Sequence, residues 1–165
     1  MRPRAVDEFL RKARIPFTVF RHPAAFTAER QAALSHVQGR SWAKTVVLVA
    51  DDQPVLAVLP AHLKVNFDQL GALIPAATLR LASEPELANL WPDCELGATL
   101  PFATRSPVRV FVDRSLVGDP EMVFSAGTHT EAIRIHYWDF HELTQPVVGH
   151  FAERTVSGGC RTPVE

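Results

Sequence analysis

An α+β fold with a mixed sheet is the class this sequence predicts. Strand-like apolar runs occur in adjacent pairs, helical periodicities are scattered irregularly between them, and the regular strand-helix alternation of a doubly wound domain is absent. At 165 residues the chain suits one domain able to bury roughly 70% of its unfolded surface. We place that domain over residues 1–150 and expect residues 151–165 to be a flexible tail.

The elements follow in order. Val6, Phe9, Leu10 and Ala13 recur at helical spacing, so a first amphipathic helix runs from about 5 to 13 and stops at Ile15-Pro16. A short strand covers 17–21. Thr27 is a good N-cap, with Glu29 in the first turn, for a helix to about Val37 with Gly39 as its C-terminal glycine. Val46 to Val49 is a continuous apolar, β-branched run, the mark of a strand buried on both faces, here 43–50. The Asp51-Asp52-Gln53-Pro54 turn leads into Val55–Leu59 and makes a hairpin. Asn66 caps a helix whose Phe67, Leu70, Gly71 and Ile74 share a face. A strand is expected within 76–81, then a short helix opened by a Ser83/Glu86 capping box and carrying Leu87 and Leu90.

Residues 91–107 form a long irregular stretch rich in Gly, Pro, Ser and Thr, and loops of that length are often functional. Strands follow over 108–112, 122–126 and 131–135. A final helix spans 137–143 and ends at Gln145-Pro146; from Val147 the chain lacks apolar periodicity and should fray.

Composition narrows the function. Charged residues make up 21% and hydrophobic ones 47%, ordinary for a globular chain, and no apolar run is long enough to span a bilayer. Seventeen Lys and Arg against 18 Asp and Glu leave a net charge of -1, so there is no global electrostatic case for DNA or a membrane surface. Two cysteines, Cys94 and Cys160, without metal-type spacing, fit a reducing, cytoplasmic setting. Neither a phosphate-binding loop, a dinucleotide fingerprint nor a helical zinc motif is present, so no cofactor or metal is expected.

Three stretches remain as candidate chemistry. Lys44 heads the buried strand, and a lysine there either carries its ammonium out to water or meets an anionic partner. Gly97-Ala98-Thr99-Leu100-Pro101 is either an ordinary surface loop or a turn whose free amides hold an anion or oxyanion. Ala126-Gly127-Thr128-His129-Thr130 is either a plain hairpin turn or a way of presenting Thr128 and His129 to a pocket. Cys94 has no identifiable base partner and reads as filler.

Taken in order, His22-Pro23 with Phe26-Thr27-Ala28-Glu29, then Ala43-Lys44-Thr45-Val46-Val47-Leu48, Gly97-x-x-x-Pro101 and Ala126-Gly127-Thr128-His129-Thr130 resemble the YbaK/prolyl-tRNA-synthetase-associated domain family over about residues 5–147. That resemblance implies an α+β fold with a mixed, barrel-like sheet flanked by helices. It implies hydrolysis of mischarged aminoacyl-tRNA in trans, with prolyl-tRNA synthetase as a further partner. It makes Lys44 the essential lysine, Gly97, Ala98, Thr99, Leu100 and Pro101 the substrate loop, Gly127, Thr128 and His129 a pocket wall, and His22 and Thr45 further substrate contacts. The alanyl-tRNA(Pro)-specific branch often carries Asn after the lysine, where this chain has Thr45; Gly127-Thr128-His129 still leans toward small side chains. Two other readings fit the same residues: a non-catalytic module for aminoacyl-tRNA ends or an amino-acid-like ligand, and a hydrolase of small aminoacyl esters unrelated to tRNA. Arg11, Lys12, Arg14, Arg21 and Arg40 are candidates for contacts with tRNA phosphates.

Overall fold

A computed structural model of the chain describes residues 3–35 and 37–154. Helix α1, Arg4–Lys12, buries Val6 and Leu10, with Asp7 in its first turn and Arg11 and Lys12 in its last. It stops before the expected Ile15-Pro16. Arg14 takes a left-handed conformation (φ 59°), and the amides of Arg14 and Ile15 bond back to the carbonyls of Arg11 and Leu10. That pair of bonds is a Schellman-type cap built without glycine. Strand β1 is Thr18–Arg21.

Helix α2, Ala28–Leu34, is capped as expected, the Thr27 hydroxyl accepting the Arg30 N–H at 3.1 Å. It ends at Ser35, so Gly39 is not its terminator. Gly39 instead packs against His62, whose Cβ would lie 3.1 Å from an added Cβ.

Strands β2 (Ala43–Ala50) and β3 (Gln53–Pro60) form the antiparallel hairpin, and Ala50 opposite Gln53 leaves Asp51-Asp52 as a two-residue turn. Both turn residues have positive φ, 46° and 67°, the geometry that matches strand twist. The Asp51 carboxylate accepts the amides of Ala77 and Thr78 and so pins β5, Leu79–Leu81, beside β2.

Strand β4, Leu63–Val65, precedes α3, Phe67–Leu73, whose N-cap is Asn66. Of the expected α3 face only Leu70 and Ile74 are buried; Phe67 is half exposed and Gly71 lies in solvent. Helix α4, Glu84–Leu90, carries the complete Ser83/Glu86 capping box. No helix or strand interrupts 91–108, after which come β6 (Arg109–Asp113), a 3-10 turn at Arg114–Leu116, β7 (Met122–Ser125), β8 (Glu131–Ile135) and α5 (Tyr137–Thr144).

The chain does not fray at Val147. Strand β9, Val147–Gly149, runs parallel to β6, and β10, Ala152–Arg154, pairs antiparallel with β4. Residues 155–165 of the expected tail lie outside the described residues.

The strands make a mixed five-stranded sheet in the order β5-β2-β3-β6-β9, a three-stranded sheet β1-β8-β7 and the pair β10-β4. A bridge from Trp42 to Val123 joins the first two. This is the expected α+β class with a mixed sheet. Among the described residues, however, the sheets do not close into a ring, so the barrel-like arrangement is an open one. The largest core cluster lies between the two main sheets and α1, with Val47, Leu56, Val58, Phe124, Ile133 and Phe140 at its centre. A second cluster sits on the other face of β2-β3, under α3.

Candidate active-site crevice

Lys44 is the second residue of β2, opposite Leu59. Side chains alternate along the strand. Ala43 and Val47 join the main core, while Val46, Leu48 and Ala50 join the cluster under α3. Thr45 therefore leaves the strand on the main-core face and Lys44 on the other. Lys44 is half-buried, and its pKa is lowered from 10.5 because burial disfavours the ammonium, an effect that the charge of Glu29 in the first turn of α2 opposes.

Thr45 meets the glycine loop directly. Its carbonyl accepts the Thr99 hydroxyl at 3.4 Å, while its own buried hydroxyl has no hydrogen-bond partner. Within the loop Gly97 is exposed with φ 88°, whereas Ala98, Leu100 and Pro101 are buried. The Ala98 amide is already committed to the Glu95 carbonyl at 3.0 Å, and Pro101 has none. Gly97, Thr99 and Leu100 are left as the loop's candidate oxyanion donors.

The β7-β8 connection lies against this loop. An added Cβ on Gly97 would stand 3.4 Å from His129 Cε1. His129 is 8% exposed, its ring packs against Phe26 at 4.5 Å between centroids, and its Nδ1 is buried without a partner. Its amide donates to the Glu95 carboxylate at 2.6 Å. The Thr128 hydroxyl is used inside the turn, accepting the Glu131 amide at 3.1 Å, so it shapes the wall rather than facing a ligand.

Gly127 has φ 94°, and a Cβ there would come within 2.7 Å of Pro3 Cδ and 3.0 Å of Cys94 Sγ. Gly127→Ala should therefore destabilise the protein by about 1–3 kcal/mol, through backbone strain and the clash together, read as a lower urea midpoint.

His22 belongs elsewhere. It is buried, edge-on to Trp42 at 5.8 Å, with Nδ1 against the Pro23 carbonyl at 2.8 Å, and none of its contacts reaches the 97–101 loop. Its amide does hold the wall from behind, donating to the Thr130 carbonyl at 2.8 Å. Burial pushes the Cys94 thiol up to about 11, which suits a packing residue rather than a nucleophile.

The structure thus joins Thr45 to Thr99 and sets Gly97 against His129. Lys44 leaves β2 on the face opposite Thr45, under the charge of Glu29, and among the described residues no contact joins it to the 97–101 loop or to His129. Sequence reasoning passed over Phe26, Glu29 and Glu95 as site residues. Phe26 and Glu29 stood within a quoted motif, while Glu95 carries no local signal. Beside the loop a cleft of about 110 Å³ is lined by Leu87, Trp91, Cys94, Glu95, Gly97 and Thr99; neither Lys44 nor His129 lines it. Among the described residues no group of three His, Cys, Asp or Glu side chains is placed to hold a metal, and no helix is long and apolar enough to cross a membrane.

Fold and site together define a small α+β domain with a mixed sheet, in which the glycine loop packs against the β7-β8 turn. The family model for the aminoacyl-tRNA editing domain matches residues 22–143, and the chain belongs to that family. Proline-tRNA ligases from two strains of Nitratidesulfovibrio vulgaris are 31% identical to it over 116 residues, which is 68% of this chain and 20% of each ligase. The chain therefore spans about a fifth of the length of these curated relatives. A solved structure described as "a putative trans-editing enzyme for prolyl tRNA synthetase" superposes with a TM-score of 0.80 at 22% identity, covering 91% of this chain and 96% of that one. A signal-transduction protein structure from Marinobacter aquaeolei, also described as putative, gives 0.69 at 16% identity over 94% of this chain and 32% of its own. At these identities the superpositions establish the fold.

Proposed function

We propose that this protein is a trans-editing deacylase that hydrolyses the ester of a mischarged tRNA, with a small amino acid such as alanine on tRNA(Pro) as its substrate. The observation that carries the proposal is a pair of buried, unpartnered polar atoms next to the Gly97–Thr99 loop: Thr45 Oγ1, in a residue whose carbonyl bonds Thr99, and His129 Nδ1, in a ring lying against Gly97. Buried polar groups are normally satisfied, so two orphans at one crevice are suited to partners that a ligand brings. Family membership and the ligase relatives support the aminoacyl end of a tRNA as that ligand.

In the reaction water adds to the ester carbonyl, the terminal ribose oxygen leaves as a hydroxyl, and the amino acid departs as its carboxylate. Lys44 supplies positive charge toward the terminal phosphate or the carbonyl oxygen. Loop amides from Gly97, Thr99 and Leu100 take the developing oxyanion, each such donor typically worth roughly 10²–10³ in rate. Among the described residues no His/Asp base pair stands beside the loop, and the vicinal ribose hydroxyl assists the attacking water. Selection is steric: a single methylene provides only ~1–3 kcal/mol of binding discrimination, so a narrow site that excludes larger side chains is the effective filter.

Incubation with Ala-, Ser- and Cys-charged tRNA(Pro) and with minimal aminoacyl esters tests the reading. Release from charged tRNA supports it. Binding without release identifies a non-catalytic module, and release from minimal esters alone identifies an unrelated esterase.

The lysine also predicts a pH profile. A cation with a lowered pKa is lost at a lower pH than an ordinary lysine, so the rate should fall on the alkaline side below the usual 10.5. Glu29 raises that pKa, so Glu29→Gln should move the alkaline limb to still lower pH. Rates corrected for spontaneous ester hydrolysis measure the shift; an unmoved limb contradicts the Glu29-Lys44 coupling.

A further inference from the structure

The two walls of the crevice come from distant parts of the chain, and one residue bonds them together. The Glu95 carboxylate accepts the His129 N–H at 2.6 Å. Its amide donates to the Gly127 carbonyl at 2.8 Å, and its carbonyl accepts the Ala98 N–H at 3.0 Å. Glu95 therefore grips two positions of the 126–130 turn and braces the glycine loop that begins two residues later. That loop has no helix or strand to hold it from 91 to 108. Its other side-chain ties run elsewhere, from Trp91 to the Phe102 carbonyl and from Thr99 to the Thr45 carbonyl.

We propose that Glu95 is a positioning residue that holds the glycine loop in place against the 126–130 turn, and that the loop's placement sets the largest amino-acid side chain the site accepts. The inference rests on the deacylase reading and deepens it. Glu95 acts through His129 and Gly97 and touches no reacting atom. Carboxylate-to-amide bonds are short and roughly twice as strong as neutral ones, which suits a strut whose outer side is open to water.

The experiment compares the full wild-type chain with Glu95→Ala and Glu95→Gln. Glutamine keeps an oxygen able to accept the His129 N–H; alanine removes it. Amide exchange at His129 should lose about 10- to 100-fold of its protection in the Ala variant and only a few-fold in the Gln variant. In parallel, the ratio of kcat/KM for valyl- over alanyl-tRNA(Pro) should rise about tenfold or more in the Ala variant and stay near wild type in the Gln variant. A merely structural residue would lower both rates together and leave that ratio unchanged. Wild-type protection in the Ala variant overturns the strut, whatever the activity. Lost protection with an unchanged ratio overturns the link to specificity. A wild-type protein inert on every charged tRNA overturns the deacylase reading and the specificity claim with it, while the exchange result still decides the strut.

Discussion

Lys44→Ala should abolish most amino-acid release while leaving the fold intact. The side chain is half-buried on β2, and burial already works against its charge. Removing it therefore takes away an ammonium that the fold holds at a cost, and thermal stability should change by less than ~1 kcal/mol. The reaction has no comparable replacement. A preorganised positive group near a developing oxyanion is typically worth about 10²–10³ in rate, or ~2.7–4 kcal/mol of barrier. Lys44→Arg should not restore the rate, since a planar fork does not replace a compact point charge. Single-turnover rates on alanyl-tRNA(Pro), beside melting curves, provide the check. A fully active Ala variant would remove Lys44 from the mechanism.

Asp113→Ala should be the most damaging substitution outside the crevice. The carboxylate, 1% exposed, ends β6 and accepts the amides of Phe151 and Ala152, both at 2.8 Å, together with the amide and hydroxyl of Ser115. Those bonds seat Phe151 in the core and bring β10 beside β4. Alanine leaves buried donors unpaired at ~1–3 kcal/mol each, so a loss of about 3–5 kcal/mol is expected. The pH dependence follows. Burial opposes ionisation of Asp113, but the Ser115 hydroxyl and the amides of Phe151, Ser115 and Ala152 outweigh it and hold the pKa below 3.8. A carboxylate with a depressed folded pKa stabilises the protein above its unfolded value and loses that contribution as pH falls through the lower folded one. Urea unfolding at neutral and acid pH should show this decline in wild type and a flatter profile in Asp113→Asn. Equal profiles would contradict the clasp.

These two residues mark what the sequence discloses. The strand headed by Lys44 was legible from its apolar β-branched run, and the lysine stands out there because a charge in that place is locally anomalous. The hairpin turn, which proved to be two residues and not the expected Asp51-Asp52-Gln53-Pro54, and the Thr27, Asn66 and Ser83 caps were legible as short-range chemistry. The clasp at Asp113 was not, because Phe151 and Ala152 lie 38 and 39 residues away. For that reason β9 and β10 read as a frayed tail: each has three residues and exists through its pairing with β6 or β4. Arg14 ended α1 without the glycine that usually signals such a cap. In the crevice, pattern could suggest Thr128 and His129 but not that the Thr128 hydroxyl serves its own turn. Nor could it show Glu95 and His129, 34 residues apart, sharing a hydrogen bond. His22 stood beside the motif in sequence, yet its ring turned to Trp42.

The most direct test is to offer the wild-type protein alanyl-tRNA(Pro) and prolyl-tRNA(Pro) side by side and follow amino-acid release from each. Alanine should be freed at a rate far above spontaneous hydrolysis while prolyl-tRNA(Pro) survives. Equal persistence of both esters, or equal loss of both, would contradict a narrow hydrolytic crevice that sorts amino acids by size.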